Sequence, residues 1–149
     1  MAVQERQDNT NTPLILSDES DVRNESIAQN EGRTTPLLPN TVMAKNATSG
    51  LWVPFTSLVA TDGESVPRGI YMGDEIDAAD LVDDDVVDVP FLVGNARVNE
   101  DLVVWDDGTL SADSIVNPAN IEARTAREAL LEAANIRLEA TTDATAHEN

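Results

Sequence analysis

Short apolar runs alternate with polar turns as far as residue 108, and beyond that point the apolar spacing changes from strand-like to helical. Residues 1–33 stand apart, being rich in Gln, Asn, Asp, Glu, Ser and Thr around a single apolar knot, Leu14-Ile15-Leu16. Such a composition buries too little apolar surface to offset the entropy of ordering, so it predicts an extended N-terminal arm, disordered when free. From residue 34 the runs are β-rich and bounded by turn residues. "GLWVPFTSLV", residues 50–59, is entered through "KNATSG" and left through Asp62-Gly63, a strong hairpin signal, while Pro54 inside it implies an edge or a bulge. "RGIYMG", "VVDVPFLVG", "ARV" and "LVVW" follow, and Asp107-Gly108 marks another turn.

In "NPANIEARTAREALLEAANIRLEA", Ile121, Leu130 and several alanines recur at helical spacing. Asn117 is suited to the N-cap and Pro118 to the first turn, which predicts a helix over about 118–134. Asn135 tolerates the left-handed conformation that ends a helix. After it, Ile136, Leu138 and Ala140 alternate with Arg137 and Glu139 as in a closing strand, and residues 141–149 form a polar tail. The predicted fold is mainly β with one C-terminal helix: a small β-barrel domain over residues 34–140, preceded by the arm.

Composition adds constraints. The hydrophobic fraction of 41% is weighted to Ala and Val and aromatics supply 3%, so the core is expected to be small and aliphatic, with stability raised by association. Charge matters more: 28 acidic against nine basic residues give −19, and Lys45 is the one lysine. Nucleic acids and anionic membranes attract Lys and Arg, so this surface argues against both as partners. High negative charge suits solubility, and the sharper alternative is an acidic DNA mimic that inhibits a host nuclease. With no cysteine, disulfides and thiolate metal sites are excluded. No apolar stretch reaches the roughly 18 residues of a membrane span and the start lacks a leader pattern, so a cytosol-like site of synthesis is expected. The sequons at Asn24 and Asn46 carry no weight there.

Catalytic chemistry is thin. The one histidine, His147, lies in the polar tail, and there is no phosphate-binding Gly-rich loop, zincin helix or nucleophile elbow. Asp83-Asp84-Asp85 lacks the alternating oxygen ligands and central glycine of a calcium loop, so residues 74–88 read as a solvated acidic loop leading into the strand at 86–93. No catalytic, cofactor-binding or metal-binding residue is predicted. Two extended segments, "TPLIL" at 12–16 and "TPLLP" at 35–39, are instead suited to adding to a sheet edge or filling a groove. Their candidate docking residues are Pro13, Leu14, Ile15 and Leu16, and Thr35, Pro36, Leu37 and Leu38. Trp52 and Trp105 are expected to be mainly buried, with Trp105 favoured for a subunit contact.

"TPLLPN" leading to "LWVPF", "VPRGIYMGDEIDAAD", and above all "FLVGNARVNEDLVVWDDG" resemble the lambda-type bacteriophage head decoration proteins, also called capsid stabilising or cementing proteins. In the last stretch Phe91, Gly94, Arg97, the Glu100-Asp101 pair and Trp105 look like the family's order and are near its spacing. The helix with its short final strand is similar too, so the resemblance covers roughly residues 34–140. It departs in a longer, more acidic loop at 74–88, a longer arm and a trailing tail. The resemblance implies a β-tulip-like fold without cofactor or enzymatic activity. It further implies a homotrimer on the outer surface of an expanded capsid, made in the host cytoplasm and bound to the major capsid protein at three-fold and quasi-three-fold positions. In that arrangement the two Thr-Pro-Leu segments would bind the capsid, and Phe91, Arg97 and Trp105 would lie at the trimer interface.

Overall fold

A computed structural model describes residues 13–56, 60–106 and 121–139, with backbone alone for 121–124. Five strands close a barrel: β1 (Asp21–Ile27), β2 (Val42–Lys45), β3 (Trp52–Pro54), β4 (Pro67–Tyr71) and β5 (Val86–Gly94). Their order around the barrel is β1-β3-β2-β4-β5, with β5 pairing back onto β1. A short helix, α1 (Ala78–Asp83), precedes β5. After the barrel come β6 (Ala96–Asn99), helix α2 (Ile121–Ala134) and β7 (Ile136–Glu139). β7 lies parallel to β6, Ala96 opposite Ile136 and Val98 opposite Leu138. Parallel neighbours need a long crossover, and α2 belongs to it.

The barrel packs on two cores, so β2, β4 and β5 carry apolar runs, whereas β1 leaves Asp21 to Asn24 exposed. Side chains alternate between faces along a strand. One set, Ile27, Met43, Trp52, Tyr71 and Phe91, takes one residue from each of the five strands and fills one core with Leu37 and Leu81. The alternate positions Val42, Ala44, Ile70 and Leu92 face the second core, where they pack with Val98, Val103 and Trp105, with Ala126 and Leu130 of α2, and with Ile136 of β7. The aromatics, few as they are, concentrate in these cores: Trp52 stacks on Phe91 at 4.6 Å and Phe55 meets Trp105 edge-on at 6.0 Å.

The turns follow their residues. Asn46 Oδ1 accepts from the backbone N–H groups of Thr48 (3.0 Å) and Ser49 (2.9 Å), folding the β2–β3 connection. Asp62 and Gly63 both have positive φ, 55° and 81°, as their sequence suggested. Asn135, at φ 55°, ends α2, and its N–H donates to Leu131 O at 2.8 Å.

Two expectations need correction. The boundary at residue 33 is misplaced, because Asp21–Ile27, polar as it is, forms the strand that closes the barrel against β5 and also touches β3 through Ile27 and Trp52. Backbone pairing explains this: β1 contributes main-chain groups to both neighbours and needs only Ile27 fully buried. The acidic stretch 74–88 is likewise more than a loop, since it holds α1, whose Leu81 plugs the core at 2% exposure, and the first residues of β5. The expected turn at Asp107-Gly108, the helix start at Asn117-Pro118, Ala140 of the closing strand, and the tail with His147 lie outside the described residues.

Candidate functional site

The distinctive polar feature is a cleft of about 420 Å³ beside β1, β2 and β3, lined by Arg23, Glu25, Lys45, Trp52 and Arg68 among others. Strand register builds it. Arg23 and Glu25 share a face of β1 with Ile27, and Lys45 at the end of β2 lies directly opposite Trp52 on β3. Glu25 Oε1 accepts from Trp52 Nε1 at 2.7 Å and from Lys45 Nζ at 2.8 Å, while the same ammonium lies 5.0 Å from the centroid of the Trp52 ring. The hydrogen bond from Lys45, seconded by that from Trp52, holds the Glu25 carboxyl below the usual carboxylate range against the opposing effect of burial. Tyr71, deeper in the barrel, is pushed up by burial and then by Asp74, whose backbone carbonyl accepts its hydroxyl hydrogen bond. Gly69 lets Trp52 approach: a Cβ there would lie 2.8 Å from Trp52 Cη2.

Arg23 and Arg68 are exposed, and neither has a carboxylate oxygen within 4.0 Å among the described residues. Among the described residues, three cations line one cleft against a single carboxylate that Lys45 already pairs. Two other clefts have the opposite balance. Arg97 and Arg137 share one with Asp18, Glu19 and Asp21, and Arg33 shares the next with Glu64 and Asp106. Of these residues, Arg33 is committed internally, forked onto Asp106 with Nη2 to Oδ1 at 2.8 Å and donating also to the carbonyls of Thr35 and Pro36.

The residues expected to dock on a partner are placed differently. Leu16 N donates to Arg97 O at 2.8 Å and Asn99 N to Leu14 O at 2.7 Å, so Leu14 to Leu16 lie antiparallel on this chain's own β6, bridging at Ile15 and Val98. Leu14 and Ile15 pack against the second core while Pro13 stays exposed. In the second segment Leu37 is fully buried and bridges Ile76, leaving Thr35, Pro36 and Leu38 exposed. Both segments do add to a strand or loop edge, but the edge is intramolecular, so Leu37 is corrected from partner contact to core, and Leu14 and Ile15 to half-buried side chains packed against the second core.

Phe91 and Trp105 are corrected for the same reason. At 0% and 7% exposure in the single chain they have almost no surface left for a second subunit. Both tryptophans are buried as expected, Trp52 at 2%. Arg97 remains on the surface, 3.7 Å from Glu139. The "NARVNEDLVVW" stretch acts as the joint between barrel and helix: Asn99 caps a 3₁₀ turn over Glu100–Leu102 and accepts from Asp101 N at 3.1 Å, while Glu100, nearly buried, pairs with Arg127 of α2 at 2.8 Å. Sequence reading passed over the Arg23, Glu25, Lys45 and Arg68 set. Its one visible signal was a sole lysine on a strand next to a tryptophan-bearing one.

Among the described residues no group of three or more His, Asp or Glu side chains is arranged to hold a metal, and no helix is long and apolar enough to cross a membrane. Compared with protein-family models and with curated proteins, the chain finds no match.

Proposed function

We propose that this chain is a non-enzymatic structural protein of a phage virion, which binds the outside of the expanded capsid as a trimer at three-fold and quasi-three-fold positions and stabilises the shell against the pressure of packaged DNA. The observation that carries the reading is the order of parts. A small closed barrel ends at Gly94, the stretch Arg97 to Trp105 joins it to a helix through Glu100 and Arg127, and a final strand returns onto β6. The resemblance likewise sets the stretch from Phe91 to Trp105 before a helix and a short final strand. A trimer bridging neighbouring capsid subunits adds contacts that must break before those subunits separate. Preference for the expanded shell requires only a higher affinity for that state, since a ligand stabilises a state by its differential affinity. Because the two Thr-Pro-Leu segments are largely consumed within the fold, attachment falls to exposed residues such as Thr35, Pro36 and Leu38 and to the barrel surface.

The test is co-sedimentation of the purified protein with expanded shells and with unexpanded procapsids, followed by electron microscopy. Binding to expanded shells alone, with protrusions at the three-fold positions, is expected. Failure to bind either shell would overturn the reading.

A further inference from the structure

We propose that the cationic cleft formed by Arg23, Lys45 and Arg68 beside Trp52 is a docking site for carboxylates of a second copy of this chain. The inference rests on the homo-oligomer in the proposed function and names the surface that holds it. At a net charge of −19 two copies repel on average, so a stable contact needs a place where the local sign is reversed. The cleft is such a place, with three cations and one carboxylate among the described residues, in contrast to the two acid-dominated clefts described above. Its cations are also available in different degrees. The charge of Lys45 is matched by Glu25, which Arg23 also influences through space, and neither Arg23 nor Arg68, both exposed, has a carboxylate oxygen within ion-pairing distance among the described residues, so the excess positive charge of the cleft is theirs. Arginine's planar fork suits two-point recognition of a carboxylate.

The complementary surface is on another part of the fold. Asp77, Asp80 and Asp83 along α1 are exposed, and none of them lines the cleft. One patch on a subunit meeting a different patch on its neighbour is a heterologous contact, the kind that closes a ring when the rotation fits. A ring built this way carries the same charge pair at every joint, and each pair lowers the repulsion that opposes assembly.

The experiment is sedimentation equilibrium on the full chain, comparing the native sequence with R23E/R68E, with D80K/D83K and with the fourfold charge exchange, circular dichroism confirming that each is folded. All four positions are exposed, so folding is expected to survive. Each double reversal should weaken self-association by at least about tenfold, and the fourfold exchange should recover most of the loss, because like charges then meet in neither patch. An unchanged association constant in R23E/R68E, or a fourfold variant no better than its parents, would overturn the assignment, as would a native chain that stays monomeric. The decoration reading is judged separately by shell binding: a native monomer that still coats expanded shells sinks the cleft and not the attachment, and a charge-dependent oligomer that ignores shells does the reverse.

Discussion

Replacing Gly69 with alanine should unsettle the barrel more than any other single methyl added to a described glycine of its strands. The added Cβ would lie 2.6 Å from Leu92 O, 2.8 Å from Trp52 Cη2 and 3.1 Å from Trp52 Cζ3. Carbon contacts settle near 3.5 to 4.0 Å, so the methyl falls short by roughly 0.7 Å or more on two sides. Neither neighbour can yield cheaply. The Leu92 carbonyl belongs to β5, whose residue 92 is in register with both Ile70 and Val22, and Trp52 is held by its stack on Phe91 and its hydrogen bond to Glu25. Overpacking of this kind costs roughly 1 to 3 kcal/mol and occasionally more. The lower chain entropy of an unfolded alanine offsets about 0.4 to 1 kcal/mol. A net loss of about 1 to 2 kcal/mol follows, near 4 to 8 °C in Tm at roughly 4 °C per kcal/mol for a domain of this size. Gly50→Ala is the control: φ is 74° and nothing lies within 4 Å, so its cost is the left-handed penalty alone, about 1 kcal/mol. Urea denaturation followed by tryptophan fluorescence gives both values. Adding Trp52→Phe to Gly69→Ala removes Cη2 and Cζ3, so the double variant should lose less than the sum of its parents. A Gly69→Ala protein within about 0.5 kcal/mol of the native chain would refute the packing argument.

The other expectations concern links between distant parts of the chain. Leu14→Ser with Ile15→Ser should cost about 2 kcal/mol of folding stability, since both side chains are half-buried on the second core, and hydrogen exchange should show the amides of Leu16 and Asn99 losing protection. Asp106→Ala should cost about 3 to 5 kcal/mol in urea unfolding by leaving the buried Arg33 guanidinium without its carboxylate, and replacing Arg33 with Met in the same chain should recover part of that loss. Glu25 is held below the usual carboxylate range, so its contribution is present above the unfolded value and is lost as pH falls through its folded one. Glu25→Gln should therefore be less stable than the native chain at pH 7, with the gap in urea midpoint closing as pH drops below about 4.5.

The barrel and helix were legible because their signals are local. Asp62-Gly63 and Asn135 carry the backbone conformations their residue types favour, and the alternation of Ile136 and Leu138 with charged neighbours marks β7. β1 was hidden because its claim to the fold is made through main-chain pairing, so "DVRNES" has no apolar face to announce it. The same holds for the first Thr-Pro-Leu segment: the pattern shows a peptide that will add to an edge, but the identity of that edge is a tertiary fact. Phe91 was set at a subunit contact by the resemblance, and Trp105, though expected to be mainly buried, by the tendency of aromatics to anchor interfaces; a chain with 3% aromatics uses both for its own interior. The cationic cleft was invisible because Arg23, Lys45 and Arg68 come from three strands that only closure brings together.

Closing the barrel through β1 also sets a schedule for synthesis. Its pairing partners, Ile27 with Val86 and Asp21 with Gly94, lie roughly 60 to 70 residues apart along the chain. At about 5 to 20 residues per second, translation leaves β1 without its β5 partner for roughly 3 to 14 s after it has been made. During that interval β1 has one short contact to gain, Ile27 with Trp52, and both of its edges are otherwise open. The polar and charged residues that disguised it in the sequence then have a use: an open strand reading "DVRNES" offers other nascent chains few apolar side chains to stick to, so the seam can wait for its partner without aggregating.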